Sequence, residues 1–184
     1  KIMTTKLHLS REELETGLDV ISQSPKDRGT LDMIVRRPKI GVRDIVENGV
    51  LNKDVGLEGD NWKTRGGSER PAKLETQITL TNSRAVQHIA QSKGRWALAG
   101  DQLYVDFDLG EENLPAETHL SIGSAVLEIT EEPHNGCKKF VDRFRMDAML
   151  FVNSDIGKNM HLRGVNARVV QAGNITVGDI VSKA

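Results

Sequence analysis

Along the chain, short stretches in which apolar and polar residues alternate are separated by a few stretches of helical spacing. Leu31 to Val35 and Ile40 to Val46 alternate in this way, with Pro38 just before the second run, and predict two strands. Gln77 to Leu80 predicts another strand, and Leu103, Val105 and Phe107 one more. Further on, Leu120 to Ile122, the Gly123-Ser124 turn and Ala125 to Thr130 predict a hairpin. Val165 to Val170, Ala172-Gly173-Asn174 and Ile175 to Val181 predict a second.

Helical spacing is rarer. Ser10 stands three residues before Glu13, and Leu14, Leu18 and Ile21 follow, which predicts a capped helix over about residues 11–22. Asn82 or Ser83 can cap a short helix reaching about Gln91. Phe140, Phe144, Ala148 and Phe151 predict a helix from Lys138 to Val152, and Ser154 caps a shorter one ending near Gly164. Gly56 to Arg70 has neither period and reads as a long loop. The pattern is therefore mainly β, a barrel with peripheral helices, in a single domain spanning 1–184.

Composition narrows the function. Lys plus Arg is 25 and Asp plus Glu is 26, so the chain lacks the basic excess of a general nucleic-acid binder, and any anion site must be local. A charge this close to neutral leaves the oligomeric state open. No apolar run approaches the length of a membrane span and no signal segment opens the chain, so a cytoplasmic protein without a membrane partner is expected. Cys137 is the sole cysteine, which excludes an internal disulfide and a paired-cysteine zinc site.

That cysteine lies between a predicted strand and a predicted helix, in His134-Asn135-Gly136-Cys137-Lys138-Lys139-Phe140, with Arg143 and Arg145 close behind. A helix N-terminus and nearby cations both favour a thiolate. A lone thiol also packs inertly in many domains, and His134 reads either as its catalytic partner or as a satisfied histidine. The loop cations Lys63, Arg65, Arg70 and Lys73, with Gly66-Gly67, are suited to a phosphate.

Taken together, Gly56-Leu57-Glu58-Gly59-Asp60, Glu112-Asn113-Leu114, Pro133 to Phe140, Gly164 to Val169 and Val177-Gly178-Asp179 resemble the MOSC domain, named for the C-terminal part of molybdenum-cofactor sulfurases. The resemblance, to small stand-alone bacterial members, covers about residues 40–182 as core barrel, with about 1–37 as an N-terminal extension. It implies a β-barrel similar to the pyruvate kinase barrel domain, and a cysteine that ligates molybdenum, carries sulfur, or both. Cys137 matches that position, as metal ligand and, with His134, as catalytic residue. Arg65, Arg70, Lys138, Asn166 and Arg168 are the corresponding cofactor-binding candidates. The implied cofactor is a molybdenum pterin, and the implied chemistry is reduction of N-hydroxylated or similar small substrates. The alternative is a sulfur carrier that takes persulfide sulfur from a cysteine desulfurase partner. Pyridoxal phosphate belongs to the desulfurase half of the fused sulfurases and is not expected to bind here, where no lysine has a Schiff-base setting.

Overall fold

The computed structural model describes residues 6–184. The elements run α1 (Arg11–Glu15), α2 (Leu18–Ser22), β1 (Arg28–Arg36), β2 (Asp44–Val46), β3 (Asn48–Asn52), β4 (Gly56–Leu57), β5 (Ile78–Asn82), α3 (Ser83–Ala90) and β6 (Leu103–Asp106). They continue through β7 (His119–Ile122), β8 (Ala125–Ile129), α4 (Lys138–Val152), α5 (Asp155–Asn159), β9 (Val165–Gln171), β10 (Gly173–Thr176) and β11 (Ile180–Lys183).

Seven strands close into a barrel in the order β11-β7-β8-β9-β5-β6-β1, the ring being completed where β1 pairs with β11. β1 serves both neighbours of that seam. Its first residues, Arg28 to Thr30, pair with β11, its last, Ile34 to Arg36, pair with β2, and its other edge pairs with β6. The barrel thus starts at Arg28, ahead of the boundary near residue 40 expected from sequence, because the segment before Pro38 is itself a stave. A smaller sheet, β10-β3-β4, packs at one side.

Leu31, Ile34, Leu80, Leu103, Val105, Leu127 and Ala167 belong to the packed interior of the barrel. Residues of opposite parity, among them Val35 and Tyr104, face outward into a second apolar layer built with the helices. That layer takes Leu14 and Ile21 from the N-terminal helices, Val86 and Ile89 from α3, and Phe140, Phe144 and Phe151 from α4. Both faces of these strands are therefore buried.

The first hairpin forms as expected, with Leu120 opposite Leu127. The second does not. β9 lies between β8 and β5, β10 leaves the ring to pair with β3, and β11 crosses to join β1 and β7. The turn-like Ala172-Gly173-Asn174 carries the chain out of one sheet and into another, so a local turn signal was sound while the pairing it suggested was not.

Two further differences concern helices and strand length. The predicted N-terminal helix is two short helices broken at Thr16-Gly17, although Ser10 and Glu13 form the full capping box. Only Asp44–Val46 of the run from Ile40 is strand, and Ile40 itself is 86% exposed. The helix from Lys138 to Val152 is kinked at Arg145, whose φ of 77° and ψ of 172° lie in a region that favours glycine.

Gly29 sits at the barrel seam, where a Cβ would come within 1.9 Å of the Asp106 carbonyl oxygen. Gly29→Ala is expected to destabilise the protein by about 1–3 kcal/mol through forced strand separation, read as a lower urea midpoint with an unchanged slope.

Candidate functional site

The connection from β8 to α4 carries Cys137, and it is pinned at three points. Asn166, buried on β9, donates its side-chain amide to the Glu132 carbonyl at 3.0 Å and to that of Pro133 at 3.4 Å. His134 Nε2 lies 2.6 Å from Asp101 Oδ1. Asn153, which caps the C-terminus of α4, accepts from the Gly136 N–H at 2.8 Å and donates to the Gly136 carbonyl at 3.0 Å. Gly136 lies close to α4, where an added Cβ would meet the side chains of Val152 at 3.0 Å and Met149 at 3.1 Å. Cys137 follows as the N-cap of α4, exposed and making no capping bond through its side chain.

Asp101 is fully buried. Its second oxygen accepts from Arg163 Nη1 at 2.6 Å, and Arg163 also donates to the Ala99 carbonyl at 2.7 Å and lies over the Phe140 ring at 5.1 Å. Burial alone would push the Asp101 carboxyl up, but Arg163 and His134 outweigh it and hold the group at about 2. His134 moves the other way from an ordinary imidazole. Burial lowers it, Arg163 lowers it further, and together with Arg37 these outweigh the attraction of Asp101, so the ring is neutral at pH 7. A neutral ring beside a carboxylate carries its proton on Nε2 and donates it to Asp101.

A cavity of about 380 Å³ opens beside this triad and includes Cys137 in its wall. Its lining is cationic: Arg37, Lys39, Arg43, Arg65, Lys139, Arg143 and Arg163 face it, against the single acid Asp142. These cations differ in compensation. Arg37 is clamped to buried Asp60, with Nε to Oδ1 at 2.9 Å and Nη2 to Oδ2 at 2.8 Å. Among the described residues, Arg43 and Arg143 reach only backbone carbonyls, those of Ala97 and Val42 at 3.3 and 3.1 Å and that of Leu98 at 2.9 Å. Desolvation lowers Arg43, and the adjacent Arg143 and Arg37 lower it further, which reports crowding of like charge. Two buried polar atoms in this wall, Asn61 Oδ1 and Arg163 Nε, have no hydrogen-bond partner among the described residues. Such an arrangement binds an anion and offers it both a free donor and a free acceptor.

A second cavity, about 510 Å³, lies on the other side of His134 and Arg163, which line both. Its remaining wall includes Ile129, Glu132, Val152, Lys158 and Val165.

The residues expected from sequence divide accordingly. Cys137, His134 and Arg65 meet at the smaller cavity. Asn166 holds the loop from behind and lines only the larger one. Arg70 is exposed and outside both cavities. Lys138, with its side chain 88% exposed, turns away to pair with Asp142 at 3.1 Å. Arg168 pairs with Glu128 at 2.9 Å on the outer surface of β8 and β9, beside His119, because it lies on the same face of β9 as Asn166 but further along the strand, opposite Glu128 and away from the loop. Sequence reading missed Arg37, Arg43, Asp60, Asp101, Asn153 and Arg163. Among the described residues, no cluster of three or more histidine, cysteine or acidic side chains could hold a metal alone. Nor is any helix among them long and apolar enough to cross a membrane.

Comparison with known proteins agrees with this architecture. A family model described as the MOSC domain matches residues 63–182. The YuaD protein of Bacillus subtilis superposes with a TM-score of 0.60 at 17% identity, over 84% of this chain and 94% of that one. YiiM of Geobacillus stearothermophilus gives 0.59 at 14% identity, over 85% of this chain and 75% of that one. YiiM of Escherichia coli gives 0.50 at 18% identity, over 85% and 69%. At these identities the structures share a fold with this chain. A search of curated proteins finds no match.

The triad makes stability depend on pH in a definite direction. His134 excludes a proton that the unfolded chain takes up below about pH 6.5, so stability falls as pH drops through that range. Asp101, held at about 2 against an ordinary 3.8, adds stability that is full above pH 4 and is lost between 4 and 2, on the order of 2 kcal/mol. Urea midpoints measured from pH 7 to 2 should decline in both windows, and the stability difference between wild type and Asp101→Asn should shrink in the lower one.

Proposed function

This chain belongs to the MOSC domain family, and from that premise we propose that it binds a molybdenum-pterin cofactor in the cationic cavity, with Cys137 as the metal ligand. The observation that carries this reading is the placement of the sole cysteine in the wall of a pocket whose cations are incompletely paired. The residues present fit such a group. A thiolate is a soft ligand suited to molybdenum, and its exposure gives it access. Arg65 and Lys139 have no carboxylate partner among the described residues, and with Arg43 and Arg143 they supply charge for a phosphate. Asn61 Oδ1 and Arg163 Nε offer an unused acceptor and an unused donor for the polar edge of a pterin. A volume near 380 Å³ is that of a small-molecule site.

Bound there, the cofactor would supply two-electron redox chemistry, and we assign this protein the reduction of N-hydroxylated or similar small substrates. The protein's own part is to fix Cys137 through the Asn153 and Asn166 clamps, to hold the anionic portion of the cofactor, and to set His134 beside the reacting region.

The exposure of Cys137 also favours a second reading, in which its thiolate attacks the outer sulfur of a cysteine desulfurase's persulfide, taking that sulfur as its own persulfide while the desulfurase cysteine leaves as thiolate, and passes it on. A thiol that exchanges sulfur with a partner protein must be reachable from solvent, and this one is.

Protein purified from a host that makes the cofactor should contain near-stoichiometric molybdenum and pterin, and Cys137→Ser should lose the metal. Arg65→Ala is expected to weaken cofactor retention on the order of tenfold while leaving the fold intact. Full metal content in Cys137→Ser overturns the ligand assignment. Metal in neither protein, with an added sulfur atom on the Cys137 peptide after incubation with a desulfurase and cysteine, favours the carrier.

A further inference from the structure

Asp101 has no role in the function proposed above, yet it is the most completely enclosed charge of the site, with both oxygens engaged at 2.6 Å. Its geometry acts on one atom. With Nε2 committed to Asp101, the second nitrogen of His134, Nδ1, has no hydrogen-bond partner among the described residues and carries a free lone pair. The ring has a close neighbour on one edge. Its Cδ2 edge lies against Gly164, whose φ is +125° and where a Cβ would come within 2.9 Å of that carbon. Asn166 fixes the carbonyls of the two preceding residues. Arg163 in turn fixes Asp101, being bonded to Ala99 and stacked on Phe140 at the same time. A neutral imidazole is thus built, rather than left, as a partition between the two cavities.

We propose that Asp101, clamped by Arg163, is a positioning residue that keeps His134 as the Nε2–H tautomer, so that Nδ1 is a fixed acceptor for the N–H or O–H of a small ligand lying in the larger cavity. The larger cavity is assigned because the smaller one carries the thiol and the uncompensated cations, which suit the anionic cofactor. The wall of the larger one, with Ile129, Val152 and Val165 beside Glu132 and Lys158, suits a compact molecule with both polar and apolar faces. The choice of cavity rests on the cofactor reading; the tautomer and its cause do not.

Asp101→Asn is the discriminating change. Arg163 still requires an acceptor, so the new amide turns its oxygen to Arg163 and its NH₂ to His134, which converts Nε2 into an acceptor and moves the proton to Nδ1. Long-range proton–nitrogen NMR of cofactor-free protein labelled with ¹⁵N-histidine reads this directly. The expected result is an unprotonated Nδ1 in wild type and a protonated one in Asp101→Asn. A wild-type His134 protonated on Nδ1, or on both nitrogens at pH 7.5, overturns the proposal even if the variant fails to fold, and so does an unchanged tautomer in a folded variant.

Hydroxyurea, a small N-hydroxylated donor, serves as the ligand probe. Its titration should shift the His134 Nδ1 resonance in wild type, bind at least tenfold more weakly to Asp101→Asn, and lose its effect in Ala116→Trp, which fills the larger cavity. Absence of any shift in wild type, or a shift that survives Ala116→Trp, overturns the placement of the ligand. Molybdenum content measured on the same variants separates the two readings: if Cys137→Ser keeps its metal, the cofactor assignment falls while the tautomer result stands on its own.

Discussion

A carboxylate with no contact with water is held here by two partners of different kinds, and the site depends on that one arrangement. An unpaired charge at the depth of Asp101 would cost several kcal/mol, so the fold must supply Arg163 on one oxygen and the imidazole N–H on the other. Each partner belongs to a different segment: Arg163 precedes β9, His134 follows β8, and Asp101 itself precedes β6. Satisfying one buried charge therefore fixes the relative positions of three strand ends, and the loop that displays Cys137 inherits that rigidity.

The same logic, run outward, explains the character of the smaller cavity. Deep cations are matched by deep acids, Arg37 by Asp60 and Arg163 by Asp101. Among the described residues, Arg43 and Arg143 hydrogen-bond only to carbonyls, and the exposed Arg65 and Lys139 have no carboxylate partner. Compensation thus declines from floor to rim while access rises. Charge that the protein neutralises internally keeps the fold stable, and charge that it leaves open is available to an incoming anion, whose pairing strengthens as water is displaced.

Much of this was legible in the sequence, and the exceptions share a cause. The alternation at Leu103, Val105 and Phe107, the Gly123-Ser124 hairpin and the capping box at Ser10 depend on neighbours within a few residues, and they were read correctly. The block around Cys137 was recognisable because its residues are contiguous. Asp101 carried no signal, and Asp60, although it closes the recognisable Gly56-to-Asp60 block, was not legible as a site residue, since the role of each depends on partners 62 and 23 residues away. Arg168 shows the converse. Two residues from Asn166, it stands in a recognisable block and on the same face of β9, yet that displacement along the strand sets it opposite Glu128, with which it pairs, and not at the loop. The misread hairpin has the same origin, because the partners of β9 and β11 lie far along the chain.

The barrel's closure imposes a rule of parity. Each antiparallel contact reverses strand direction, and a circuit of the ring must return to the direction in which it began, so the number of antiparallel contacts must be even. With seven strands, at least one neighbouring pair has to run the same way, and here it is β5 and β6. A parallel pair cannot be joined by a tight turn, so the chain must leave the sheet and come back, as it does through α3 and the helical turn at Lys93–Ala99. The return delivers Ala99, Gly100 and Asp101 to the end of β6, where they accept hydrogen bonds from Arg163, Arg37 and His134. An odd number of staves thus obliges the barrel to carry one excursion, and the receptive edge of the site is formed where that excursion ends.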